Sequence, residues 1–197
     1  PEVFFSKLLP FITLEPQPYF NLWDVLRDKR DIKHEDYCLK APFSDFKFFE
    51  ILADKLPETV NLHFSNSSAI RYAQLFEFKT NSIHCNRGTS GIDGCTSTAM
   101  GFAMKAKEQT VLVTGDVSFF YDINGLWNNY IPPYTRIIVF NNGGGDIFKI
   151  IPGPSSTNAL EEFILTKHHK NAEYLAKHFG FGYTKLDDED TLSRVLD

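Results

Sequence analysis

Two short stretches of this sequence place hard oxygen donors beside backbone that a ligand can approach closely. The first is Gly115-Asp116, followed by Val117 and Ser118. The second is Asn141-Asn142-Gly143-Gly144-Gly145-Asp146. Each directly follows an apolar, β-branched run, residues 110–114 and 136–140, that reads as a buried strand. Asp116 and Asn142 lie 26 positions apart, room for one helix and one strand, so both fall at the same edge of a sheet. A carboxylate, an amide oxygen and a free carbonyl in a glycine loop suit Mg²⁺, which keeps water and phosphate oxygens as its other ligands. The N–H groups that open the helix after Asp116 suit a phosphate. Each stretch also has a plainer reading: Asp116 as a helix N-cap, and the glycines as a turn with positive φ angles. Their occurrence together, each at a strand end, favours a site for a divalent cation and a diphosphate.

The elements that must position these residues follow from periodicity. Ser44 is a plausible N-cap for a helix through about residue 56, and residues 60–64 alternate like a short strand. A helix over about 67–76, a short strand at 83–85 and a helix over 95–107 come next. Beyond the strand at 110–114, a helix is expected over 119–129 and a strand over 136–140. Helices near 158–166 and 171–179, a short strand near 182–186 and a helix near 188–196 complete the pattern. Strands alternating with helices imply βαβ units, hence an α/β, doubly wound, mostly parallel sheet with helices on both faces. Ligands on such sheets bind at the carboxyl ends of the strands. Residues 1–40 differ: Pro10, Pro16 and Pro18 and the run Asp28-Lys29-Arg30-Asp31 interrupt two short helical pieces at about 3–9 and 19–29. This segment reads as an interdomain linker or a central-domain remnant, or as an arm packed on the domain at 41–197.

Composition sets the bounds. The chain has 197 residues and a formal net charge of −5, enough for one sizeable domain. Its 43% hydrophobic residues, 19 phenylalanines among them, exclude wholesale disorder. Mild acidity without a basic stripe argues against nucleic acid as a partner. No apolar run approaches the ~18 residues of a membrane span. Three cysteines without a CxxC pair fit a reducing cytosol, hence a cytoplasmic protein. The chain begins at Pro1, as a processed or excised piece of a longer polypeptide would.

The two oxygen-rich stretches resemble the thiamine-diphosphate signature, a GD after one strand and an NN after the next. A third motif narrows the family. Asn86-Arg87-Gly88-Thr89-Ser90-Gly91-Ile92-Asp93-Gly94, followed by Ser97-Thr98-Ala99, resembles the signature of the menaquinone-biosynthetic MenD family, the 2-succinyl-5-enolpyruvyl-6-hydroxy-3-cyclohexene-1-carboxylate synthases. Gly115-Asp116-Val117-Ser118 with Tyr121-Asp122-Ile123-Asn124-Gly125-Leu126, and the stretch from Asn141 to Phe148 ending at Pro152, are similar to further motifs of that family, in the same order. Val117 stands where the general pattern has a third glycine, and Gly143 where the usual triplet has its third asparagine.

The resemblance implies the thiamine-diphosphate-binding fold, here its diphosphate-binding domain, and roles residue by residue. Asp116, Asn142 and the carbonyl of Gly144 match the ligands of Mg²⁺ or Mn²⁺. Gly115, Val117 and Ser118 belong to the diphosphate-binding stretch, and Ile92 matches the apolar support of the bent cofactor. Ile147, Phe148 and Ile151 match the apolar wall of a pocket shared by cofactor and substrate. Ser67 and Arg71, in Asn66-Ser67-Ser68-Ala69-Ile70-Arg71, and Arg87 match substrate-binding positions. Planar guanidinium forks suit the dicarboxylates 2-oxoglutarate and isochorismate. Plainer readings are a surface helix arginine for Arg71 and a loop salt bridge for Arg87. The implied activity is a transferase reaction that decarboxylates 2-oxoglutarate and adds the resulting carbanion equivalent to isochorismate. The family works as homodimers or dimers of dimers. The glutamate that activates the cofactor is expected in a preceding domain that nothing in residues 1–59 resembles, so this stretch alone is expected to be inactive. Alternatives are another thiamine-diphosphate carboligase, or a non-catalytic domain retaining the fold.

Other candidates read as structural. His168, His169 and His178 suggest a solvated helix face, His84 and Cys85 a packed strand pair, and Trp23 and Trp127 core. Asp93 suggests a cap for the helix after it, and Asp187-Asp188-Glu189-Asp190 a charged helix N-terminus.

Overall fold

The computed structural model describes residues 2–13, 18–80 and 82–196. Pro16 of the N-terminal segment lies outside them. The chain divides into two compact units, 1–42 and 43–197.

The N-terminal unit comprises α1 (Glu2–Leu8), a 3-10 turn (Leu9–Phe11) and α2 (Pro18–Lys40). α2 runs eleven residues beyond the expected end at 29. The charged run does not break it, because residues 28–31 are all exposed, so their charges stay solvated, and Asp28 lies 3.5 Å from Arg27. Neither helix has a buried residue. Trp23, expected in a core, is 56% exposed.

The second unit opens with α3 (Asp45–Lys55), whose N-cap Ser44 accepts the N–H of Lys47. Then come β1 (Asn61–Phe64), α4 (Ser68–Ala73), β2 (Ser82–Cys85), α5 (Cys95–Ala106), β3 (Thr110–Gly115), α6 (Asp116–Tyr121) and β4 (Thr135–Phe140). The sheet is wholly parallel in the order β2-β1-β3-β4. Alternation along β3 supplies two cores at once. Val111 and Val113 join Leu62 and Phe64 of β1 under α3 and α4, while Leu112 faces Ala99 and Met100 of α5 and Phe119 of α6. Helices therefore cover both faces, and the winding reverses between β1 and β3. The crevice outside the carboxyl ends of those two strands is where such sheets take ligands.

Three expectations shift. The helix awaited over 119–129 starts at Asp116, with Gly115 as an extended N-cap, and ends at Tyr121; a 3-10 turn (Ile123–Leu126) follows. Trp127, beyond that turn, is 79% exposed rather than core. Residues 182–186 form no strand, because no ladder partner reaches them among the described residues. After β4 come α7 (Ile147–Ile150), a 3-10 turn (Pro154–Ser156), a π-helical turn (Leu160–Ile164), α8 (Glu173–His178) and α9 (Glu189–Leu196). Asp188 caps α9, accepting the N–H of Thr191 at 2.8 Å.

Candidate functional site

Because α6 begins with no intervening loop, Asp116 sits at the tip of β3 with its side chain almost fully buried. Its Oδ2 accepts the N–H of Gly143 at 2.8 Å and of Gly144 at 3.1 Å. Its Oδ1 accepts the N–H of Val117 at 2.7 Å. The carboxylate thus joins the two oxygen-rich stretches across the ends of neighbouring strands. This geometry is not that of an N-cap, whose oxygen would bind two or three residues onward in its own helix.

The loop after β4 is shaped by glycines where shape demands them. Gly144 has φ +155°, and a Cβ there would lie 2.6 Å from the carbonyl oxygen of Leu165. A second segment closes over the loop. Gly145 N–H donates to Leu165 O at 2.7 Å, His168 N–H to Gly143 O at 3.0 Å, and the Asn141 amide to Lys170 O at 2.8 Å. Asn142 is exposed, and its Nδ2 donates to Asp45 at the start of α3, at 3.3 Å. That bond uses the amide nitrogen and so orients the group, whose oxygen is an acceptor. Burial holds the Asp45 carboxyl above its usual range; the Asn142 bond opposes this, and nearby Asp146 and Asp116 add to it. Ile147 is buried at the start of α7, and Phe148 and Ile151 are half-buried.

A second group lies at the ends of β1 and β2. Asn66, 2% exposed, donates to the carbonyls of Asn86 at 2.7 Å and Gly91 at 2.6 Å. Its Oδ1 accepts from Arg87 at 3.3 Å. Arg87 is exposed and Ser67 half-buried. Ser67 holds φ +70°, a left-handed conformation that costs a β-carbon residue energy and is found at ligand-facing turns. Arg71 is exposed and folds back on the Ser67 carbonyl at 2.9 Å.

Two bonds tie the groups together across the switch point. Gly115 N–H donates to the buried Ser65 hydroxyl at 3.4 Å, and the Ser118 hydroxyl donates to the Ile92 carbonyl at 2.5 Å. Ser118 is thereby committed to holding the glycine-rich loop that carries half-buried Ile92. Asp93 caps nothing: Gly94, at φ +74°, is the N-cap of α5, and Asp122 reaches across to accept from Ser97 instead. His63 and His84 stack as a strand pair, with centroids 4.7 Å apart.

Three contributors escaped the sequence. Asp45 is one acid in the first turn of α3, and Asn66 stands in a motif whose matched positions are Ser67 and Arg71. His168 is the third. It is not on a solvated helix face: its side chain is 12% exposed and its Nε2 lies 3.3 Å from Asp116 Oδ2. Nothing local marks it, because the contact spans 52 positions of sequence.

Among the described residues, no three histidines, cysteines or carboxylates gather as a ready metal cage. The donor set of Asp116, Asn142 and Gly144 nonetheless fits a hard cation that completes its shell with water or phosphate oxygens. Asp116 Oδ1 has lone-pair capacity beyond the Val117 bond. No helix of the described residues is long and apolar enough to cross a membrane.

No family model matches the chain. Individual relatives do. It is 49% identical over 197 residues to the 2-succinyl-5-enolpyruvyl-6-hydroxy-3-cyclohexene-1-carboxylate synthase of Flavobacterium psychrophilum, covering all of this chain and 36% of the relative. The synthases of Flavobacterium johnsoniae and Bacteroides thetaiotaomicron match the whole chain at 48% and 37% identity, with 36% and 34% of their lengths covered. The chain therefore spans about a third of the curated relatives it matches. With motif order, parallel sheet and strand-end loops in agreement, the chain belongs to the 2-succinyl-5-enolpyruvyl-6-hydroxy-3-cyclohexene-1-carboxylate synthase family.

Proposed function

We propose that residues 41–197 are the diphosphate-binding part of a thiamine-diphosphate-dependent transferase. In the whole protein it would convert 2-oxoglutarate and isochorismate to the product that names the family. The observation that carries this reading is the buried carboxylate of Asp116, which ties the GD turn to the glycine loop across adjacent parallel strands. Asp116, Asn142 and the Gly144 carbonyl would hold Mg²⁺ or Mn²⁺, and the N–H groups opening α6 would face the diphosphate. When bound, thiamine diphosphate supplies the electron sink for decarboxylation. This chain's own residues bind and orient. Arg87 and Arg71 present guanidinium forks to carboxylates, Ser67 adds a hydroxyl, and Ile92, Ile147, Phe148 and Ile151 exclude water from the reacting end. The rest of the protein would complete the site, as a cytoplasmic homodimer or dimer of dimers.

Calorimetric titration of this chain with thiamine diphosphate, with and without Mg²⁺, tests the site. Mg²⁺-dependent binding that Asp116→Asn weakens is expected; binding indifferent to both Mg²⁺ and Asp116 would overturn the assignment. A chimera tests the activity: this chain replaces the matching third of the Flavobacterium psychrophilum synthase and is assayed with 2-oxoglutarate and isochorismate. A folded chimera that binds the cofactor but forms another product would favour a different carboligase.

A further inference from the structure

We propose that His168 is a positioning residue of this site: it donates its Nε2–H to Oδ2 of Asp116 and so aims the other carboxylate oxygen at the cation. The inference rests on the metal–diphosphate reading above. Its support is a proton assignment. His168 Nδ1 accepts the backbone N–H of Lys170 at 3.1 Å. A ring nitrogen that accepts a hydrogen bond carries no proton, so the neutral ring keeps its proton on Nε2. That atom is buried and has no hydrogen-bond partner among the described residues. It lies 3.3 Å from Asp116 Oδ2, off the straight line of a strong bond.

The ring is held in place. Phe120 meets it edge-on, with centroids 5.4 Å apart and planes at 84°. The backbone N–H of His168 is bonded to Gly143 O, so the ring travels with the glycine loop. Oδ2 receives the N–H groups of Gly143 and Gly144 and has the His168 Nε2–H 3.3 Å away, poised as a third donor, while Oδ1 keeps a lone pair for a metal beside its bond from Val117. Metal-binding carboxylates are ordinarily held by outer partners of this kind, and loss of one typically costs about 10–100-fold in metal affinity.

Three chains decide it: wild type, His168→Phe, which keeps the contact with Phe120, and His168→Gln, which keeps an N–H donor. Each is titrated with Mn²⁺ in the presence of thiamine diphosphate, after a thermal melt confirms folding. Expected is a loss of about 10–100-fold in Mn²⁺ affinity for His168→Phe, largely restored in His168→Gln. Ring-nitrogen NMR of the ligand-free chain should show proton on Nε2 and a shift of that signal in Asp116→Ala. Wild-type affinity in a folded His168→Phe chain, or a proton on Nδ1, overturns the proposal. If the wild type binds no Mn²⁺ and cofactor, the diphosphate reading fails. The contact with Asp116 then stands or falls on the NMR result alone.

Discussion

His63 shows what one buried side chain does to the whole fold's response to acid. It lies on β1, 5% exposed, stacked on His84 and met edge-on by Phe102 of α5. Its Nε2 is buried without a partner among the described residues. Burial, and then the neighbouring His84, lower its pKa from 6.5 to about 4. The unfolded chain therefore binds this proton first. Between pH 6.5 and 4 the unfolded state carries more protons, so stability is lost as pH falls through that window, by at most about 1.4 kcal/mol per pH unit. Urea midpoints measured from pH 7 to pH 4 should fall for the wild type and fall less steeply for His63→Leu. Equal slopes would mean that His63 is protonated in the folded protein.

Among the elements, α5 is the one on which the glycine-rich loop depends. Its N-terminus has no side-chain cap of its own. Asp122 supplies one from the far end of α6, accepting the Ser97 N–H and hydroxyl at 2.7 Å each. Gly125 follows because a Cβ there would stand 2.9 Å from the Ser97 nitrogen. Asp122→Ala should cost about 1–3 kcal/mol, since it leaves a helix-start N–H unpaired beside a buried contact. Chemical denaturation measures this, and faster amide exchange at Ser97 would place the damage at α5. Loss of stability with Ser97 exchange unchanged would place it elsewhere. Asp122 also explains how legible this fold was. β1, β3 and β4 could be read from sequence because their apolar runs are local, and the GD and glycine-loop stretches because their chemistry is contiguous. The acid before α5 looked like its cap, while the working cap lies 25 positions beyond Ser97. Asp45 and Asn142 meet across 97 positions. Such pairings are decided by how β3 and β4 lie side by side, which periodicity along the chain does not encode.

For the whole molecule, the two units carry unequal stabilising power. Both apolar clusters are built from residues within 43–197, with Phe49, Leu62, Val113 and Leu112 fully or almost fully buried. Among the described residues the N-terminal unit buries none, although Tyr19, Phe20, Leu22, Trp23, Val25 and Leu26 give the first half of α2 a broad exposed apolar face beside a polar stripe of Asn21, Asp24, Arg27 and Asp28. An apolar helix face needs a partner that buries it, because most helical stability in proteins comes from such packing rather than from propensity. Residues 43–197 should therefore fold without residues 1–42, whereas 1–42 alone should be largely unfolded or self-associate. Circular dichroism melts of the two pieces check this: a cooperative transition is expected for 43–197 and none for 1–42. The same piece separates binding from catalysis. All the proposed ligands of cation, diphosphate and substrate lie between Ser67 and Ile151, so 43–197 should keep Mg²⁺-dependent cofactor binding. Because the chain spans about a third of its relatives, turnover of 2-oxoglutarate should appear only when the remaining two thirds are supplied. Product formation by 43–197 alone would show that the catalytic groups all lie in this sheet's strand-end loops. A noncooperative melt of 43–197 would instead show that this unit does not fold independently.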